Sequence, residues 1–192
     1  KEWAEQRRAG LYFGIDSSNI LLKEARALAM ATEIPPDLKI ELKRSDLTDP
    51  DWIRAIPKIG WSGIFAFAVL HHVPGLQLRQ RILRQVRKIM NKGEKFYLSV
   101  WQLQNNPRLM ARKQAWEIIG LGDGDVEEGD VLMDWRQARQ GEKNLIGLRY
   151  VHLFGVAELS RLAEEVSFSI INQFYSDGKQ GNLGLYQVWE SI

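Results

Sequence analysis

Apolar residues along this chain come in two rhythms, short unbroken runs and stripes recurring every three or four positions, and the two alternate. LYFGI (11–15) is a run that predicts a strand, and it ends on Asp16. Leu21, Leu22, Ala25, Leu28 and Ala29 then share one face of a helix that Ser17 or Ser18 can cap and that Pro35-Pro36 breaks. LKIEL (38–42) alternates as a strand and runs into Asp46. WSGIFAFAVL (61–70) is almost wholly apolar, the pattern of a strand covered on both faces. Leu78, Ile82, Val86 and Ile89 predict a helix reaching Met90, closed by Asn91 to Gly93 and followed by the strand KFYLSVW (95–101). Residues 1–9 read as the end of a helix, with Gly10 as its stop.

Repeated strand–helix alternation predicts an α/β fold, a mostly parallel sheet with helices on both faces. The tail departs from it. AELSRLAEEV (157–166) reads as a helix, and FSIINQFYS and LGLYQVWE as two strands joined by the turn DGKQGN, an antiparallel pair closing the sheet. Residues 102–150 fit no regular alternation and are expected as an insertion over one end of the sheet, within a single domain spanning 1–192.

Composition narrows this little. The chain of 192 residues is long enough for a sizeable core, and 26 basic against 24 acidic residues leave nucleic-acid binding to local patches. There is no cysteine, so disulfides and thiolate metal sites are excluded, and no apolar run approaches the ~20 residues of a membrane span. A cytoplasmic protein is the expectation. Seven tryptophans suit either packing or a flat stacking surface.

Candidate chemistry gathers where strands end. Asp16 can hold both ribose hydroxyls of a nucleotide-like ligand or cap the next helix, and both readings stand. Asp46 repeats the geometry, while Asp49 and Asp51 suit caps of a helix around Trp52. FAFAVLHHVPG (65–75) delivers Ala68, Val69 and Leu70 to the mouth of a crevice, then two histidines. Adjacent histidines in extended chain point apart, so no metal site is expected. GLGDGD (120–125) follows the helical-looking RKQAWEII instead of a strand. Gly120 is therefore read as a helix stop, and Asp123, Asp125, Glu127, Glu128 and Asp130 as a solvated acidic loop. Arg79, Arg81, Arg84, Arg87, Lys88, Lys92 and Lys95 read as a solvated outer face, with a phosphate-tracking surface as the alternative.

In order, YFGID, SDLTD, FAFAVLHHVPG and a basic helix ending NKGEKFYLSVW resemble the class I S-adenosylmethionine-dependent methyltransferases of the type 11-like group. The likeness spans nearly the whole chain. It implies a Rossmann-like, mostly parallel sheet with a C-terminal antiparallel pair. Asp16 and Ser17 would then sit at the cofactor ribose, Asp46 and Leu47 at the adenine, and Ala68, Val69 and His72 at the methionine end. It also implies one further strand with a glycine-rich loop, which this sequence does not contain and which is expected upstream of Lys1.

GDVLMDW (129–135) with RYVHLF and AELSRLAEE (149–165) is similar, more narrowly, to the tRNA wobble-uridine carboxymethyl methyltransferases. That resemblance implies substrate contacts from Trp135, Arg149, Tyr150 and His152 and tRNA as partner, some members requiring a small activator protein; Trp101 is expected to position substrate with them. Asp134 stands where that family favours proline. A carboxylate acceptor needs no base, whereas a hydroxyl or amine would call on His72 or His152. Two other expectations stay open: a small-molecule methyltransferase, and a non-catalytic binding module on the same scaffold.

Overall fold

Residues 9–137 and 145–192 are described in the computed structural model, which forms two compact units, Lys1–Ile59 and Gly60–Ile192. The helix expected at the start of the chain lies, up to Arg8, outside the described residues.

In the first unit, β1 (Ala9–Asp16) pairs in parallel with β2 (Asp37–Arg44), Ala9 opposite Asp37 and Asp16 opposite Arg44. α1 (Asn19–Met30) joins them, its first turn fixed by Ser18, whose hydroxyl accepts from the Leu21 N–H at 3.3 Å. The expected apolar face of α1 is only partly used. Leu22 is buried, but Leu21 and Leu28 are exposed, because a two-stranded sheet is too narrow to cover a full helical stripe. The helix expected near Trp52 is a single 3₁₀ turn, Trp52–Ala55, with Trp52 buried and Arg54 paired to Asp51 at 3.1 Å.

The second unit carries a four-stranded sheet with strand order β3-β4-β9-β8. β3 (Trp61–Phe67) runs parallel to β4 (Met90–Trp101), and β9 (Gly184–Ser191) runs antiparallel to both β4 and β8 (Phe168–Ser176). The antiparallel closing pair therefore forms as the tail pattern requires. β3 is shorter and more exposed than its apolar run suggests: it lies at the edge of its sheet, and none of its seven residues is buried. Its strand ends because Ala68 adopts φ 54, a left-handed conformation that costs a non-glycine residue about 1 kcal/mol or more. The Ala68 N–H is held there by the Ser99 carbonyl and hydroxyl, both at 3.1 Å.

α2 (Leu76–Ile89) buries Ile82, Leu83 and Val86, and α4 (Val156–Glu165) buries Leu159, Leu162 and Ala163. Phe96, Phe168 and Trp189 meet between the strands, each at most 2% exposed.

The region 102–150 contains regular structure that periodicity did not reveal. After the short helix α3 (Pro107–Met110), β5 (Lys113–Gln114), β6 (Asp130–Gln137) and β7 (Leu145–His152) form an antiparallel sheet of three strands. RKQAWEII is not a helix. It holds β5 and a 3₁₀ turn, Trp116–Ile119, which Gly120 ends at φ 77, the left-handed conformation expected of a stop. No helix among the described residues is long and apolar enough to cross a membrane.

Candidate functional site: a tryptophan–arginine pocket beside a buried ionic network

The site in the second unit begins at the C-terminal ends of β3 and β4. A 3₁₀ turn over Leu70–His72 places both histidines against Trp101, the last residue of β4. The His71 and His72 ring centres lie 4.6 Å and 5.0 Å from that of Trp101. Each histidine has a defined tautomer, because its partner can play only one role. The Trp101 backbone N–H donates to His71 Nδ1 at 3.2 Å, so the His71 proton sits on Nε2, a buried atom with no partner among the described residues. His72 Nδ1 faces the Tyr150 carbonyl at 3.1 Å; a carbonyl only accepts, so Nδ1 carries the proton and the lone pair is on Nε2.

Both imidazoles are held neutral. Burial pushes His71 down to about 3, reinforced by the neighbouring His72 ring and the charge of Arg149. Burial also lowers His72, partly opposed by its hydrogen bond to Tyr150 and aided by Arg149. Between pH 6.5 and about 3 the unfolded chain therefore binds a proton at His71 that the folded chain does not. Unfolding free energy is expected to decrease as pH is lowered through this window, at a limiting slope of about 1.4 kcal/mol per pH unit. Denaturant unfolding at pH 7 and pH 5, repeated on His71→Gln, checks this; an unchanged pH dependence in the variant would refute the assignment.

Arg149, from β7, stacks its guanidinium over Trp101 at 5.8 Å from the ring centroid. Together they border a cavity of about 390 Å³ walled by Leu103, Leu109, Met133, Val151 and Leu183. Its other polar groups are Arg112, Asp134 and Asp177. Arg112 is already engaged, its Nε donating to Asp134 Oδ1 at 2.5 Å and its Nη2 to the Asp134 carbonyl at 2.8 Å. The chamber is thus apolar in its walls, with an aromatic face and guanidinium groups at its border.

Strand alternation sends Tyr150 and His152 to the other side of β7 from Arg149 and Val151. There Asp130 Oδ1 accepts from the Tyr150 hydroxyl and faces His152 Nδ1, both at 2.6 Å, while His152 Nε2 meets Glu158 Oε1 at 2.9 Å. Two carboxylates can be satisfied by one imidazole only if both nitrogens carry protons. Burial opposes that charge, but the bonds to Glu158 and Asp130 outweigh it and hold His152 above its ordinary value. An imidazolium so engaged has no lone pair for a substrate proton. Tyr150 is driven in the same sense: burial and Asp130 raise it far above an ordinary phenol.

Two charged residues of this region are buried where the sequence predicts solvent. Arg79 is 1% exposed, not on a solvated face, and Asp130 is buried, not part of a solvated loop. Glu127, Asp130 and His152 place one ligand atom each within 4.8 Å of one another, but Arg79 Nη2 lies 2.5 Å from Glu127 Oε2 and already supplies positive charge to the group. Sequence inspection missed Arg79, Glu127, Asp130 and Glu158; the available signal was three carboxylates and a histidine near a helix whose apolar stripe begins one residue before an arginine.

The remaining residues lie elsewhere. Asp16 and Asp46 belong to the first unit. Asp16 Oδ1 accepts from the Ser18 N–H at 2.7 Å, and its second oxygen accepts from no described residue. Asp46 Oδ1 accepts from the Thr48 N–H at 2.9 Å and the Thr48 hydroxyl at 2.8 Å, which hold its carboxyl below the ordinary range. Ser17 is exposed and Leu47 half-buried. Ala68 and Val69 follow β3 directly. Of Trp135 the structure describes the backbone alone, paired with Gly147.

No protein-family model and no curated protein matches the chain. Solved structures do. An S-adenosylmethionine-dependent methyltransferase from Methanosarcina mazei aligns over 95% of this chain and 82% of its own, at 20% identity and a TM-score of 0.67. One from Clostridium acetobutylicum aligns over 93% and 74%, at 10% identity and 0.64. The magnesium protoporphyrin IX methyltransferase from Synechocystis, solved with S-adenosylhomocysteine bound, aligns over 95% and 65%, at 12% identity and 0.58. The chain therefore has the fold of the S-adenosylmethionine-dependent methyltransferases.

Proposed function

We propose that the protein transfers a methyl group from S-adenosylmethionine to a flat, anionic acceptor seated in the Trp101–Arg149 pocket. The observation that carries this reading is the guanidinium stacked on an indole at the C-terminal end of β4, the end at which parallel sheets bind ligands. The finer reading is a carboxylate-bearing modified uridine of a tRNA anticodon loop. A single base is of the right size for about 390 Å³, Trp101 offers it a stacking face, and Arg149 suits a carboxylate.

The cofactor, when bound, supplies a methyl group already activated on sulfur. The residues assigned to it fit. Within the first unit, Asp16 ends a parallel strand, and its second carboxylate oxygen accepts from no described residue, which suits a ribose hydroxyl.

Within the pocket the chain aligns and desolvates. Trp101 orients the ring, Arg149 holds the anion, and the apolar walls exclude water. Neutral His72, with its Nε2 lone pair, suits removal of a proton from a hydroxyl or amine acceptor; His152 serves as a fixed charge. A small-molecule acceptor is the second reading, since the neighbours include an enzyme acting on a porphyrin.

Titration calorimetry with S-adenosylhomocysteine tests the cofactor, and transfer of labelled methyl to total tRNA tests the acceptor, with and without cell extract to supply an activator. Arg149→Ala is expected to lower kcat/KM by about 10–100-fold while leaving S-adenosylhomocysteine affinity within twofold. Absence of cofactor binding would remove the enzymatic reading and favour the non-catalytic module. Alkali-labile product marks a methyl ester, and alkali-stable product shifts the assignment to a hydroxyl or amine.

A further inference from the structure

We propose that Arg79 is a positioning residue that sets His72 and the pocket-facing side of β7 from behind the strand. Burying Arg79 is costly. A guanidinium 1% exposed in the first turn of α2 has lost its hydration, and an aliphatic residue would fill the same space without that penalty. Its hydrogen bonds are specific instead. Arg79 Nη1 donates to the Val73 carbonyl at 3.1 Å and to the Tyr150 hydroxyl at 3.3 Å. Nη2 meets Glu127 at 2.5 Å, Glu158 stands 4.0 Å away, and the guanidinium lies over the Phe154 ring at 5.4 Å.

Two of those partners bracket His72. Val73 is the next residue along the chain, and Tyr150 supplies the carbonyl that accepts from His72 Nδ1. One guanidinium nitrogen therefore closes a loop through Val73, His72 and Tyr150, fixing at once the ring's position and the carbonyl that selects its tautomer. The same bond locks Tyr150 on the inner side of β7, so that Arg149 and Val151 face the cavity. A lysine at 79 would keep the charge but not the planar fork that reaches Val73, Tyr150 and Glu127 together.

The effect on catalysis rests on the methyltransferase reading; the effect on His72 does not. Long-range ¹H–¹⁵N spectra of the ligand-free protein are expected to show His72 as a single Nδ1–H tautomer. Arg79→Lys and the milder Tyr150→Phe, which deletes only the bridging hydroxyl, should both turn it into a tautomer mixture. Both should also lower kcat at least fivefold with S-adenosylhomocysteine affinity within twofold. If Arg79→Lys does not fold, Tyr150→Phe decides. A His72 spectrum unchanged in a folded variant overturns the proposal, even if the melting temperature falls. Wild-type protein that transfers no methyl group defeats the methyltransferase reading instead, and the spectra still decide Arg79.

Discussion

Asp130→Ala is expected to lower the unfolding free energy by about 3–5 kcal/mol, the range for removing one partner from a buried charged network. Asp130 is the hub of that network. Its Oδ1 serves both Tyr150 and His152, and its Oδ2 accepts from the Glu127 N–H at 2.9 Å. Alanine would leave the phenol without an acceptor, one imidazolium nitrogen unpaired and the Glu127 turn loosened. Asp130→Asn keeps the volume and one acceptor, so about half the loss is expected. Urea unfolding followed by circular dichroism measures both; a loss below about 1 kcal/mol for alanine would show that the network is not cooperative. The pH dependence changes as well. His152 titrates higher in the folded state, so the stability it contributes is complete below pH 6.5 and is lost as pH rises through the folded value. In Asp130→Ala that alkaline loss should shrink.

The second large effect lies in the four-stranded sheet. Trp189→Ala is expected to cost about 3–5 kcal/mol, through transfer of a large ring and the cavity it leaves. Trp189 is 0% exposed, and its ring centre lies 5.8 Å from that of Phe96 and 5.7 Å from that of Phe168. Its Nε1–H donates to Gln187 Oε1 at 2.8 Å, and Gln187 is itself buried. Truncation therefore also strands a buried amide oxygen, which adds about 1–3 kcal/mol if nothing replaces the donor. Trp189→Phe separates the two contributions, since it keeps most of the apolar area and loses only the donor. Should Trp189→Phe destabilise as much as Trp189→Ala, the hydrogen bond and not the ring packing would govern this part of the core.

The strand–helix order was legible because each signal is local. Ser18 caps α1 with its own hydroxyl, Gly120 ends its turn in a left-handed conformation, and the tail strands β8 and β9 are brought together by a short turn between apolar runs. Where local signals were weak or misleading, the reading failed. β6 and β7 carry charged and polar residues at positions facing a buried network, so they show no clean alternation. The stretch RKQAWEII has helical composition, yet Lys113 and Gln114 are drawn into a ladder with Met133 and Leu132, some twenty residues on.

The candidate site divides along the same line. Sequence placed His72, Trp101 and Arg149 at strand ends or in a recognisable segment, and the structure brings these three together. Tyr150 and His152 fall on the opposite side of the same strand, a distinction that turns on register and that a shift of one residue would reverse.

By itself, then, the sequence determined the order of elements, the antiparallel finish and the clustering of candidate chemistry at strand ends, since those follow from residues within a few positions of one another. Only the tertiary structure decided the fate of the charges. Arg79 is buried because Glu127 lies 48 residues away in sequence and Tyr150 lies 71 away, and both are folded against it. A guanidinium enters the interior only where such partners meet it, and no local pattern records that they will.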